Sequence, residues 1–478
     1  MEEKKRIVKD ALGTMEVPEH VYYGAQTARA MQCLDVHDET YVRYPSYVAA
    51  FAKVKKACAL ANMDIGALDP SRAEAICRAA DEVIEGRWQE NFPLCVFRGS
   101  GTPLNMAVNE VIATRANEML TGHKGQDAVH PNTHVNMCQS SNDVSPTAKM
   151  IAVYEELGGV LRSAAVLEAS LERKSREFRT AVKMGRTCLQ DAIPVTLGQS
   201  FGAWTSMVRR NRIRLEEERS RWNRGVLGGT AVGTGMGCMP GFVDRVYVRL
   251  SEVCGRPIFK DDDLFDGLQS SDGLVLMHGH LQALAIGVGR IAHDLKLMAS
   301  GPRAGLGEIV LPAVQPGSSI MPGKINPVIP DMMEQAQQKI CANHAGMALA
   351  ACTGELELGP SSAILVRGFF DSVRLLSSGM RILAERCIDG ITYREENCAG
   401  VAEASTSLAT MVSALFGYDV GTRIAHIAYD EGITCKEAAL RERLLTPEQA
   451  EDLFDLLSLT DREKMEALYK KYRDLRSV

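Results

Sequence analysis

No stretch of the chain approaches the roughly 20 uninterrupted apolar residues that a membrane-spanning helix needs. The opening Met1-Glu2-Glu3-Lys4-Lys5-Arg6 also lacks the apolar run of a secretory signal. Both absences lead to the expectation of a cytoplasmic protein with no membrane partner. Basic tracts are missing as well. With 54 Lys and Arg against 60 Asp and Glu, the net charge is -6, and nothing offers the basic face that a nucleic acid requires. Closely paired cysteines are absent: the 13 cysteines stand singly from Cys33 to Cys435, none in a CxxC spacing. Structural metal sites and redox dithiols normally show such spacing, so reduced thiols, mostly small buried hydrophobes, are expected instead. His278 and His280 come nearest to a metal pair, but two residues apart on a helix they point in different directions.

What is present is the composition of a globular protein: 478 residues, 46% hydrophobic and 24% charged, long enough for two or three domains around a large core. Texture divides the chain into 1–139, 140–394 and 395–478. The first part has a polar, turn-rich start, then helix-like apolar spacing and short motifs rich in Gly, Asn and Thr. The second carries long helical segments. In Met150 to Leu171, Val153, Leu157, Val160, Leu161, Ala164, Leu167 and Leu171 recur at three- and four-residue steps. Leu276 to Leu297 is apolar almost all round, and Met332 to Leu356 and Phe369 to Cys387 are comparable. Helices apolar on most faces are buried in a large core or between subunits. No period-two run predicts strands in this middle part. The third part reads as a small helical domain, broken at Gly417-Tyr418-Asp419, at Asp430-Glu431-Gly432 and at the capping sequence Thr446-Pro447-Glu448.

The most informative stretch is Gly317-Ser318-Ser319-Ile320-Met321-Pro322-Gly323-Lys324-Ile325-Asn326-Pro327. Glycines and prolines prevent regular helix or strand, and two hydroxyls, a lysine and an asparagine amide are gathered in it. Lys324 and Asn326 can neutralise and hydrogen-bond a carboxylate, and Ser318 can act as a base if surrounding donors stabilise its alkoxide. On composition alone, a Gly/Pro connector with incidental hydroxyls is the favoured reading.

This loop resembles the GSSxMPxKxN signature of the aspartase/fumarase superfamily. Further matches follow the family order: Gly99-Ser100-Gly101-Thr102 with Asn105-Met106; His130-Pro131-Asn132 through Gln139-Ser140-Ser141-Asn142-Asp143; and Gly185-Arg186-Thr187-Cys188-Leu189-Gln190-Asp191. Gly229 to Gly235 and Ser300 to Leu306 also fit, and Leu12-Gly13-Thr14 to Gln26-Thr27 and the C-terminal part extend the likeness over essentially the whole chain. The resemblance implies a mainly α fold of the L-aspartase type, whose long central helices form a tetrameric bundle. It implies a cofactor-free 1,2-elimination on a small amino acid, with each site drawing on three subunits of a homotetramer. Ser318 matches the base. Thr102, Ser140, Ser141 and Ser319 match the donors around the carboxylate beside the abstracted proton, and Thr187, Lys324 and Asn326 match those around the other carboxylate. Asn142 lies where the leaving group is recognised, and Met321 belongs to the same substrate-binding loop. No metal or organic cofactor is implied.

The pattern is broken in places. Cys188 stands where many relatives carry histidine or glutamine, and a thiol neither relays a proton like imidazole nor donates strongly to an amine. Asp331 replaces the usual glutamate seven residues after the lysine. Pro103-Leu104 and Ala107 replace polar residues, and Gly359 to Ala363 replaces a segment that usually begins with asparagine. Cys188 counts against fumarate hydration, so deamination of aspartate is the expected activity. Elimination of trimethylamine from ergothioneine to give thiourocanate is the alternative for a less polar pocket, with fumarate hydration third. A catalytically silent structural homologue is the reading from another class, and retention of Ser318, Lys324, Asn326, Thr187 and the Ser140-Ser141 pair speaks against it.

Overall fold

The computed structural model describes residues 4–36, 38–99, 101–360 and 362–475. Ser100 of the first motif, Ser361 of the 359–363 segment and Met1-Glu2-Glu3 lie outside the described residues. The architecture is mainly α, as the sequence implies. After an antiparallel hairpin of β1 (Lys5–Asp10) and β2 (Gly13–Pro18) come helices α1 (Pro45–Asp64) and α2 (Thr102–Thr121). Each starts with a proline in its first turn, where the missing N–H costs nothing, and α2 stops at Gly122, whose φ of 80° suits a residue without Cβ.

Five long helices follow: α3 (Ser141–Glu177), α4 (Leu197–Arg221), α5 (Asp272–Met298), α6 (Val328–Ala351) and α7 (Ala363–Arg386). The periodic positions Val153, Leu157, Val160, Ala164, Leu167 and Leu171 of α3 are all fully buried. On α5, Met277, Leu281, Leu284, Val288, Ile291 and Leu295 are buried, but Leu276 and Ile286 are 58% and 50% exposed. α5 is the one described helix long and apolar enough to cross a membrane, and half of its most apolar window is buried inside the protein.

Two expectations need correction. The 332–356 helix ends at Ala351, and Leu356 sits in the left-handed region at φ 52°, fully outside the helix. The middle part also contains a β-hairpin, β3 (Val182–Thr187) with β4 (Gln190–Thr196). Lys183, Gly185, Asp191 and Pro194 hide its alternation, and a bulge between Met184 and Arg186 shifts its register.

By contacts the chain forms two compact units. The first comprises Met1–Arg162, Ile213–Ala283 and Gln338–Ser377; the second comprises Ser163–Arg212, Leu284–Gln337 and Ser378–Val478. In the first, His278 is buried and bonded through Nε2 to Ser372 Oγ (2.8 Å) and through Nδ1 to His344 Nδ1 (3.1 Å), with burial lowering its pKa to about 4. In the second, the C-terminal helices share one core, including Leu408, Val412, Leu415, Ile424, Ala439 and Leu453, that also takes in Val182 and Met184 of β3. The expected breaks hold: Gly417 separates two helices, Gly432 ends Tyr418–Glu431 at φ 65°, and Thr446 with Gln449 forms a capping box on Pro447–Leu453.

Candidate active site

Four of the expected residues gather in the first unit, at two helix starts. Thr102 opens α2 and Ser141 opens α3, and their hydroxyls meet at 2.9 Å. Ser140 caps α3: its Oγ accepts from Asn142 N (3.2 Å), while Asp143 Oδ1 accepts from Ser140 N (3.0 Å). Hydroxyls at converging helix N-termini, where partial positive charge collects, form a natural seat for a carboxylate. Asn142 Nδ2 donates to Ala231 O at 2.9 Å, which ties it to the glycine-rich 229–235 segment.

The supports of this corner were not singled out from the sequence. Asp143 is completely buried; its Oδ2 also accepts from Gly228 N (3.2 Å) and Thr230 N (2.9 Å). Burial outweighs these donors and raises its pKa to about 7. Asn136 Oδ1 collects donors from Lys55 Nζ (3.0 Å), Asn105 Nδ2 (3.2 Å) and Asn109 Nδ2 (3.1 Å). Lys55, fully buried and lowered to about 7 by that burial, also donates to Gln139 Oε1 at 2.8 Å. Asn105, Gln139 and Asp143 belong to the recognised motifs; Lys55, about 80 residues away, joins Asn136 to Gln139 and, with Asn105 and Asn109, holds the 136–139 turn.

A cavity of about 160 Å³ opens beside this corner, lined by Thr102, Ser141, Asn142, Lys149, Ser270 and Gly359 among others. The unusual 359–363 segment thus lies at the cavity. Gly359 N donates to Leu268 O (2.9 Å), and a Cβ at 359 would stand 2.6 Å from Gln269 O, so glycine is required there.

The second unit carries the other expected residues in two places. One is the 317–327 loop. Gly317 N donates to Lys324 O (2.8 Å) and Asn326 Nδ2 donates to Gly317 O (2.7 Å), closing the loop on itself. A Cβ at 317 would lie 2.6 Å from both Asn326 N and Lys324 O, which explains the glycine. Inside the closed loop, Ser318 Oγ accepts from Ile320 N (3.2 Å) and Met321 N (3.0 Å). Ser319, Met321 and Lys324 are exposed, and the Lys324 amine has no hydrogen bond or ion pair to any described residue. Asp331, at the start of α6, is engaged elsewhere: Lys296 Nζ lies 2.6 Å from its Oδ1 and 2.7 Å from Glu334 Oε2.

The other place is the tip of the β3–β4 hairpin. Cys188 and Leu189 form its two-residue turn at φ 52° and 62°. Turns of this kind favour Asn-Gly, because both central residues need positive φ. Neither residue here meets that need cheaply, so the tip is a strained element of the type found at functional sites. Thr187, Cys188 and Leu189 are exposed, and the hairpin is braced from behind. Arg186 Nη1 reaches buried Glu308 Oε1 (2.5 Å), Lys183 Nζ reaches its Oε2 (3.2 Å), and Ser405 Oγ donates to Asp191 Oδ2 (2.8 Å). Gly185 is required because a Cβ would stand 2.6 Å from Ile193 O.

Comparison with known proteins places these features in context. Residues 13–342 match the family described as Lyase, and residues 408–461 match the family described as Fumarase C C-terminus. The aspartate ammonia-lyase of Helicobacter pylori is 39% identical over 94% of this chain and 96% of its own length. The class II fumarate hydratase of Thermosynechococcus vestitus is 40% identical over 93% of this chain and 95% of its own. Among solved structures, fumarate lyase:delta crystallin from Brucella melitensis superposes with a TM-score of 0.92 at 40% identity, covering 96% of this chain and all of that one. The class II fumarase from Schistosoma mansoni gives 0.89 at 32% identity over 96% and 99%.

Proposed function

This chain belongs to the aspartase/fumarase superfamily of lyases, and on that footing we propose that it is a carbon–nitrogen lyase, an aspartate ammonia-lyase. The observation that carries the reading is Ser318 Oγ facing two backbone N–H groups, from Ile320 and Met321, in a loop closed by Gly317 and Asn326. Donors fixed on an oxygen favour its anion, which makes a serine usable as a base. In the proposed reaction Ser318 Oγ takes a proton from the carbon beside one carboxylate of L-aspartate. The electron pair is held as an aci-carboxylate by Thr102, Ser140, Ser141 and Ser319. The carbon–nitrogen bond of the protonated amine then breaks, ammonia leaves past Asn142 and Cys188, Ser318 releases the proton it took to solvent, and fumarate remains. Lys324, Thr187 and Asn326 hold the other carboxylate. The second N–H of Asn326 is the group available for this, since its first N–H closes the loop.

The site is proposed to be completed in a cytoplasmic homotetramer, with the three clusters supplied by three copies. The uncovered apolar side chains Leu276, Ile286 and Leu349 (75% exposed) and the projecting Leu189 (66%) support association through these faces. The division at 139/140 and 394/395 is kept as the domain division of the protomer. Fumarate hydration is the second reading, since the class II fumarate hydratase is as similar as the aspartase. Cys188, a poor donor and proton relay, favours deamination.

The test is to follow fumarate absorbance and released ammonia with L-aspartate, and malate formation from fumarate, on protein whose mass is measured in solution. Matched fumarate and ammonia from a tetramer supports the proposal. Malate formation without deamination replaces it with hydration, and inactivity on both by an intact tetramer removes both.

A further inference from the structure

The cavity beside Thr102, Ser141 and Asn142 contains one charged side chain that the proposed reaction does not use. Lys149 lies on α3 seven residues after Asn142, two turns along and on the same face. Helical side chains lean toward the N-terminus, so its amine is carried back toward the corner that holds Asn142. Every other lining residue of the 160 Å³ cavity is uncharged. A neighbouring cavity of about 280 Å³ shares Pro146, Lys149, Gly267, Ser270 and Ser271, so Lys149 stands where the two spaces adjoin. No hydrogen bond or ion pair joins its amine to any described residue. Its side chain is partly open to the cavities but otherwise packed in protein, and that burial lowers its pKa to about 8. The neighbouring cavity also carries Asp261, Asp266 and Asp272 with Arg221 and Arg224, but none of them pairs with this amine, so within the 160 Å³ cavity Lys149 is the one charge available to an anion brought by a ligand.

We propose that Lys149, with Ser270 and Ser271, forms a subsite for an additional carboxylate on the substrate, so that this lyase accepts aspartates whose amine carries an acidic substituent. The proposal rests on the carbon–nitrogen lyase reading and deepens it. The dicarboxylate portion sits at the helix starts, the nitrogen points along α3, and the extra carboxylate reaches Lys149. Elimination from N-(carboxymethyl)-L-aspartate gives fumarate and glycine, with the same bond broken and the same proton removed as for aspartate.

The test has two readouts on the full-length assembled protein. In turnover, the ratio of kcat/KM for N-(carboxymethyl)-L-aspartate to that for L-aspartate falls about 10- to 100-fold in Lys149→Met, the range for a lost charge-assisted hydrogen bond, and Lys149→Arg restores most of it. The loss appears mainly in KM. In binding, measured by calorimetry without turnover, wild type holds propane-1,2,3-tricarboxylate more tightly than succinate, and Lys149→Met removes the difference. An unchanged ratio and an unchanged binding preference in folded Lys149→Met overturn the subsite while leaving the lyase reading intact. Loss of both substrates by wild type, with the binding preference kept, overturns the lyase reading and leaves an anion subsite. Absence of any tricarboxylate preference in wild type overturns the subsite directly.

Discussion

Replacing Ser318 by alanine tests the proposed chemistry most directly. The side chain accepts two backbone hydrogen bonds, from Ile320 N and Met321 N, and the variant removes both the base and the oxygen those donors support. A positioned general base contributes about 10²- to 10⁴-fold, and each preorganised donor on a developing oxyanion about 10²- to 10³-fold. These effects act through one atom and do not multiply fully. The expected loss in kcat/KM is about 10³- to 10⁵-fold, or about 4–7 kcal/mol at about 1.36 kcal/mol per decade. The loop itself survives, because its closing bonds, Gly317 N to Lys324 O and Asn326 Nδ2 to Gly317 O, use no Ser318 side-chain atom. Water can replace Oγ as acceptor for the two freed N–H groups, so stability changes by less than about 1 kcal/mol. Fumarate formation from L-aspartate, or malate formation from fumarate, is measured beside the melting temperature and the solution mass. A correctly assembled Ser318→Ala protein within about ten-fold of wild-type kcat/KM would falsify the assignment of the base.

Lys324→Ala should cost about 10²- to 10⁴-fold in kcat/KM with an unchanged melting temperature, because the amine is exposed and has no partner among the described residues; near-normal kinetics would remove Lys324 from carboxylate binding. Cys188→His should fold normally, since histidine tolerates the left-handed backbone at φ 52°. It should shift the ratio of hydration to deamination by more than about ten-fold, as expected for a changed proton relay, whereas unfolding would indicate a packing role. Asp143→Asn should destabilise the protein by about 1–3 kcal/mol, because an amide cannot accept from Ser140 N at one end and from Gly228 N and Thr230 N at the other. Burial holds the Asp143 pKa near about 7 against 3.8 for an ordinary aspartate, so its contribution to stability is full below about pH 4 and is lost as pH rises through about 7. In Asp143→Asn the fall in melting temperature between about pH 4 and 7 should therefore flatten; an unchanged slope would place the titration elsewhere.

The sequence alone determined the helical class, the long central segments, the breaks at Gly417 and Gly432 and the chemistry available in the 317–327 loop. These features are local: a buried helix writes its period into the chain, and a glycine or proline acts where it stands. It also marked the candidate site residues, because their order resembles a family pattern. Tertiary structure decided how those residues are held. Lys55 beneath Asn136, one of three lysines between 53 and 56, and Glu308 behind Arg186 carry no mark in the sequence, and only burial makes them supports. The β3–β4 hairpin was hidden because Lys183, Gly185 and Pro194 interrupt its alternation; its strands are fixed by packing on the C-terminal core rather than by propensity. The positive φ of Cys188 is likewise a consequence of the two-residue turn, which no property of cysteine announces. Lys149 looks like any helical lysine in one dimension, and only the walls around its amine distinguish a solvated charge from one enclosed beside a carboxylate seat.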